Sequence, residues 1–391
     1  MASAAPSPSP ALSIIDVDAH ITEPHDLWTS RAPASLKGRV PRVVGSGRER
    51  AWVVDRDVQI SSSVVAKDGS KSRGTEFFGF QIEDVHEASY DMKARVRLLD
   101  EFGLWAQILY PNVAGFGSQN FMKVEDDALR LACARIYNEA MAEIQQESKG
   151  RLLPMALMPW WNIEQSVEEV ARAKAMGLKG IVMCSDPDSI GLPDLGADAW
   201  KPFWDACNDT GLAVNFHIGA SETAFNMFGR AAWPSHGMRR KLALGSAALF
   251  VENSRVLSNM IASGIFDRCP NLKIVSVESG IGWIPFVLES LDYEWAETSA
   301  QREMPLQKKP SEYFRDHVWG CFWFERVAPT QLIDVIGEDN VLFETDFPHP
   351  TCLYPNVQEY IAEISADWSE TRKRKILQDN AAGLYGIELP A

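Results

Sequence analysis

The stretch IIDVDAHITEP, residues 14–24, decides how the rest of the chain is read. An apolar, β-branched run ends in Asp18, His20 and Glu23, with His25 just beyond. A nucleotide-binding open sheet would place a glycine-rich phosphate loop after its first strand. DAHITEP contains no glycine, so an open doubly wound sheet falls behind a barrel as the parent fold.

Seven further β-like runs follow, making strands at 14–17, 105–110, 153–158, 180–183, 213–216, 272–277, 318–322 and 341–344. Amphipathic stretches alternate with them at 92–102, 125–147, 163–176, 197–210, 249–263, 283–297 and 328–336, with 369–384 after the last strand. Apolar residues recur there at helical spacing, as at Ile163, Val167, Val170 and Ala171. Gly103, Gly177, Gly211 and Gly264 stand where helices should stop. Eight strands alternating with helices predict a parallel (β/α)8 TIM barrel.

Two segments exceed a minimal barrel. Residues 28–90 form an excursion after strand one, with β-like runs at 51–54 and 58–62 that predict small hairpins. Residues 218–247 form a long loop after strand five and carry Phe225, Met227, Trp233, His236 and the pair Arg239-Arg240. Residues 1–13, rich in Pro and Ser, read as a disordered arm without the charge pattern of a signal peptide. Residues 14–391 then make one barrel domain.

Composition narrows the function. A net charge of −15 opposes nucleic-acid binding, which needs a clustered basic surface. The one short basic run, Arg372-Lys373-Arg374-Lys375, reads as a solvated helix face. No apolar window is long enough to span a membrane. The six cysteines lack zinc-finger spacing and read as reduced core thiols of a cytoplasmic protein. G-x-S-x-G and Walker motifs are absent.

The polar residues fall at one end of the predicted barrel. Asp18 and His20 follow strand one, His217 in VNFHIGA ends strand five, and Glu278 in IVSVESGIGW ends strand six. Asp346 and His349 in VLFETDFPHP follow strand eight. Barrel enzymes build their sites at this C-terminal face. In D-x-H both side chains leave an extended segment on the same face and can clasp one ion. His217 adds an imidazole and Asp346 a carboxylate, donors suited to Zn, Mn or Fe. Glu278 is a further candidate ligand, allowing one ion or two. The bland alternatives are a backbone-bonded core histidine at His217, a turn residue at Asp346, a salt-bridged carboxylate at Glu278 and a packing role for His349. Structural roles are also open to Glu23, as a turn cap, and to His25.

These motifs, with MKARVRLLDEFGLWAQILYP, FDRCPNLKIVSVESGIGW, PSEYFRDHVWG and ILQDNAAGLYGI, resemble the amidohydrolase superfamily. The similarity is closest to the branch that includes aminocarboxymuconate semialdehyde decarboxylase and γ-resorcylate decarboxylase. The resemblance implies a metal bound by Asp18, His20, His217 and Asp346, with Asp346 also moving a proton. It further implies a homodimer. The chain departs from the branch at strand six, where Glu278-Ser279-Gly280 replaces a histidine followed by glycine. On that departure the expected function is a metal-dependent hydrolase of an apolar or aromatic small molecule, with Asp346, Glu278 and His349 as catalytic residues. A nonoxidative decarboxylase of an aromatic acid is the alternative, and a metal-free binding barrel a second one. Trp160, Trp161, Trp233, His236 and Phe347 are the expected substrate contacts, and Arg239, Arg240 or Arg326 a partner for a substrate carboxylate.

Overall fold

A computed structural model describes residues 12–55, 57–59, 63–221 and 233–390. Eight parallel strands surround one axis: β1 (Ile14–His20), β2 (Leu104–Tyr110), β3 (Leu152–Pro154, then Ala156–Leu157), β4 (Gly180–Val182), β5 (Ala213–His217), β6 (Ile274–Val277), β7 (Val318–Phe322) and β8 (Val341–Phe343). All eight lie at the expected places. The fold is an α/β (β/α)8 barrel of the TIM type.

Regular ladders join β1 to β2 and β2 to the first half of β3, then the second half of β3 through β4, β5, β6 and β7 to β8. β3 changes neighbour at Met155, whose N–H still reaches Leu109 O at 3.0 Å. The seam between β8 and β1 is irregular. There the Asp346 N–H donates to Asp18 O at 2.8 Å and the His20 N–H to Phe347 O at 2.7 Å, flanking one parallel bridge, Ala19 to Phe347. The ladder is thus loosest where the candidate ligands enter.

Strands buried on both faces read as continuous apolar runs, and every residue of β1 is buried, its two aspartates included. The helices begin on short polar caps. Asp91, Asp126 and Asn162 each accept a backbone N–H from the first turn of the following helix. Gly211 closes Lys201–Thr210 at φ +66°, a backbone position that costs a side-chain-bearing residue strain.

Among the described residues, three helices of eight residues or more lie outside the expected set: Met238–Leu249, Pro310–His317 and Val357–Ile364. The last two are only eight residues long, so each carries barely two turns of periodic signal. The excursion forms its own antiparallel sheet from Arg42–Val44, Ala51–Val54 and Asp57–Gln59. Of the expected 58–62 run, residues 60–62 lie outside the described residues, as do residues 1–11 of the 1–13 arm, Phe225 and Met227. The basic run lies on the surface: Arg372 pairs with Asp334 and Glu338, Lys373 with Glu370, Arg374 with Asp379, and Lys375 with Glu338 and Asp339. All six cysteines are buried. No described helix is long and apolar enough to cross a membrane.

Candidate metal centre

The C-terminal mouth of the barrel gathers the polar residues into one cluster. Asp18 and His20 arrive on β1 and His217 is the last residue of β5. Glu278 follows β6 with φ +50°, and Asp346 follows β8 with φ +59°. Positive φ at a residue with a side chain costs about 1–3 kcal/mol and persists where the surroundings enforce it. Here each turn carries a carboxylate into the mouth. The His349 N–H donates to Asp346 O at 2.8 Å, which folds the FPH turn back over the cluster. Asp18, His20, His217 and Asp346 are wholly buried, and Glu278 and His349 nearly so.

Both ligand-type imidazoles are oriented from behind. Nδ1 of His217 lies 2.6 Å from Ile218 O, and Nδ1 of His20 lies 3.4 Å from Pro111 O. A carbonyl can only accept, so each Nδ1 carries the hydrogen and each Nε2 presents a lone pair. The two Nε2 atoms stand 3.1 Å apart. Asp18 Oδ1 is 3.5 Å from His217 Nε2 and 3.6 Å from His20 Nε2. Glu278 Oε2 is 3.2 Å from His217 Nε2, and Asp346 Oδ1 is 3.6 Å from His20 Nε2.

Acceptors facing acceptors repel unless something positive lies between them. Both Asp18 carboxylate oxygens and Asp346 Oδ1 are buried with no hydrogen-bond partner among the described residues. A buried, unpartnered charge is costly. Donors bound at about 2.0–2.2 Å to one ion sit roughly 3–3.6 Å from one another. The spacings observed here match that, so the residues present fit a divalent cation.

Electrostatics agree. Burial, then the neighbouring Asp346 and Asp16, pushes the Asp18 carboxyl well above the usual range. Burial, then Asp346, Asp18 and Glu344, does the same to Glu278. Burial lowers His217 to about 4, and burial together with His349 and His217 holds His20 well below its ordinary value. The imidazoles are neutral, the form that ligates metals.

Several contributors carry no motif. The Phe116 ring packs on His217, His20 and His349 at centroid distances of 4.5, 4.9 and 5.5 Å. Asn112 Oδ1 meets His349 Nε2 at 2.8 Å, and Thr351 Oγ1 donates to Asp346 Oδ2. Glu344 Oε2 accepts the Glu278 N–H at 3.2 Å. Glu23 accepts the N–H groups of Asn112 and Val113 at 2.8 and 3.0 Å and so braces the loop after β2. Of this set, only Glu23 stands out in the sequence, as a turn cap.

The expected substrate contacts are placed less centrally. Trp160 is buried and donates from Nε1 to Gly117 O at 2.6 Å, supporting the loop that carries Phe116. Trp161 lies beneath the Arg130 guanidinium at 5.2 Å. Trp233 is exposed, and His236 Nδ1 lies 3.4 Å from Ser235 Oγ. The Phe347 ring sits under the Arg95 guanidinium at 4.6 Å, beside Tyr354. His25 packs edge-on against Trp52 at 5.7 Å. Arg239 and Arg326 pair with Glu76 and Glu363 at the surface.

A family profile described as Amidohydrolase matches residues 15–387. The chain belongs to the amidohydrolase family. This family member is 24% identical over 311 residues to 2-amino-3-carboxymuconate-6-semialdehyde decarboxylase of Dictyostelium discoideum, covering 78% of this chain and 79% of that one. It is 26% identical over 313 residues to gamma-resorcylate decarboxylase of a Polaromonas species, covering 75% and 86%. Among solved structures, an amidohydrolase from Mycobacterium avium subsp. paratuberculosis aligns at a TM-score of 0.76 and 24% identity, over 97% of this chain and 100% of that one. A 5-carboxyvanillate decarboxylase from Novosphingobium aromaticivorans, with bound manganese, aligns at 0.67 and 20% identity over 96% and 97%.

The two curated relatives overturn the hydrolase expectation, because both are decarboxylases. That expectation rested on one carboxylate, Glu278, in place of a histidine. The replacement leaves the ligand cluster intact and does not specify attack by water.

Proposed function

We propose that this amidohydrolase-family enzyme is a metal-dependent, nonoxidative decarboxylase of an aromatic or closely related carboxylic acid. The observation that carries the reading is the convergence of two Nε2 lone pairs on the unpartnered oxygens of Asp18 and Asp346. Decarboxylases among the relatives, one holding manganese, support it. Asp18, His20, His217 and Asp346 would hold the ion, with Glu278 as a further ligand. When bound, such an ion acts as a Lewis acid that fixes the substrate oxygens and draws electron density from them.

The residues supply the rest. Asp346 delivers a proton to the carbon that bears the carboxylate. The bond to the carboxyl carbon then breaks, its electron pair returns to the ring, and carbon dioxide leaves. The overall change is redox neutral. Thr351 holds Asp346 Oδ2, which leaves Oδ1 as the atom turned to the centre. The Phe116 face, packed on three imidazoles, offers a flat apolar wall against which a ring stacks. Burial of the cluster keeps bulk water from competing for the proton.

The test is incubation of manganese-loaded protein with a panel of hydroxylated benzoic acids in deuterated water, read by NMR. Carbon dioxide release with one deuterium at the former carboxyl position is the expected result. Metal-loaded protein that releases none from any acid of the panel would contradict the proposal.

A further inference from the structure

The turn that carries Glu278 is anchored by a residue outside the cluster. It runs E-S-G-I-G-W, residues 278–283, from the end of β6 to the helix Ile284–Glu297. The chain passes through two left-handed positions, Glu278 at φ +50° and Gly280 at φ +67°. A residue with a side chain keeps such a φ only where its surroundings enforce it.

Three neighbouring segments grip this turn. Glu344, next after β8, accepts the Glu278 N–H at 3.2 Å. Ser279 Oγ donates to Phe250 O at 2.5 Å. The third grip is Glu325, which lies in the loop after β7 and uses both carboxylate oxygens. Its Oε2 accepts the Ile281 N–H at 2.8 Å, and its Oε1 accepts the Gly282 N–H at 2.8 Å. Bonds from N–H groups to an ionised carboxylate are the strong kind, and an anion just ahead of a helix also meets the positive end of its dipole.

The glycines make room for this grip. A Cβ at Gly280 would lie 2.8 Å from Glu325 Oε2, and one at Gly282 would lie 2.9 Å from Oε1. Both are closer than carbon and oxygen pack. Glu325 is itself held in place, because Tyr360 Oη donates to its carbonyl oxygen at 2.6 Å. The adjacent Arg326 turns away to Glu363, so the Glu325 charge is answered by the turn.

We infer that Glu325 is a positioning residue for the metal centre: it fixes the turn at Ile281 and Gly282 and thereby sets where the Glu278 carboxylate enters the mouth. Glu325 acts through Glu278. The expected effect on turnover rests on the proposed decarboxylation, whereas the expected effect on metal affinity is independent of which bond breaks.

The test is a double-mutant cycle between Glu325 and Glu278 in the full chain. Metal-stripped protein is titrated with manganese by calorimetry, and kcat and KM are measured on the loaded enzyme. Glu325→Gln keeps the shape of the side chain but turns an amide N–H₂ toward one of the two backbone donors. It should weaken manganese binding about 10–100-fold and lower kcat with little change in KM. In a Glu278→Gln background the same change should have no further effect. Gly282→Ala, at an exposed position without positive φ, pushes the same carboxylate away and should reproduce the loss. Adding Gly282→Ala to Glu325→Ala should make matters no worse than Glu325→Ala alone. Equal losses from Glu325→Gln with and without Glu278 would mark a general structural role and overturn the inference. So would Gly282→Ala protein with wild-type manganese affinity, even if the Glu278 variant does not fold. A manganese affinity that depends on Glu325 only while Glu278 is present supports the inference even if no acid releases carbon dioxide, a result that would refute the decarboxylase reading alone.

Discussion

Asp16 and Asp18 stand two residues apart on one strand, both wholly buried, and they live in opposite circumstances. Asp16 forms the floor of the site and is satisfied on every side. It accepts from Gln107 Nε2 at 2.6 Å, Thr345 N at 2.8 Å, Thr345 Oγ1 at 2.5 Å and Asp18 N at 3.2 Å. Asp18 forms the mouth and accepts no hydrogen bond among the described residues. The floor is built as a finished network that ties β8 to β1 and β2. The mouth is a network with its centre left out. Stability resides in the first, and the chemistry depends on what enters the second.

The largest expected effect separates the mouth's chemistry from its structure. Asp346→Asn should lower kcat by about 10²–10⁴-fold, the usual worth of a positioned proton donor, while circular dichroism and the melting temperature stay near wild type. A melting temperature that collapses with the activity would place Asp346 among structural residues like those of the floor.

The next prediction sets the two aspartates against each other in metal-free protein. Asp16→Ala leaves Gln107 and Thr345 donors buried without an acceptor, and should cost about 3–5 kcal/mol in urea unfolding. Asp18→Asn removes a charge that has no partner, and should hold stability level or raise it. Equal losses at both positions would erase the distinction between floor and mouth.

Acid titration sharpens the comparison, because the two layers have opposite signs. Burial raises Asp16 to about 6, against its ordinary 3.8, so its contribution to stability is greatest below pH 4 and declines as pH rises through 6. Burial lowers His217 to about 4, against 6.5, so the unfolded chain takes up the proton first. Stability from His217 is therefore complete above pH 6.5 and declines as pH falls toward 4, by an amount on the order of 3 kcal/mol. In metal-free protein, His217→Gln should flatten the loss on the acid side and Asp16→Asn should flatten the opposing slope. A His217→Gln variant with an unchanged pH profile would show that the ring is not held neutral.

At the small end, Arg326→Gln breaks an exposed pair with Glu363 and should leave kcat/KM unchanged. A marked loss would bring that arginine to the substrate after all.

The floor and the mouth were not equally legible in the sequence. The strands were clear because buried parallel strands give dense apolar runs, and Asp18, His20, His217, Glu278 and Asp346 were visible as polar residues ending those runs. Asn112, Phe116, Glu344 and Thr351 were not, since each acts through contacts between segments distant in the chain and no local pattern encodes them. For Phe347, sequence gives proximity to Asp346 without the side to which the ring turns, which is toward Arg95. Glu278 is visible in the sequence, but the hydrolase expectation drawn from it is overturned, and the acidic neighbours that surround it, among them Glu344, emerge only in the fold.

The most direct test of the account is the melting temperature of metal-free protein with and without manganese, for the wild type and Asp18→Asn. If the mouth is an incomplete network that a cation completes, manganese should raise the wild-type melting temperature by several degrees and leave the variant almost unmoved. A wild type that melts at the same temperature with manganese or with chelator would contradict it.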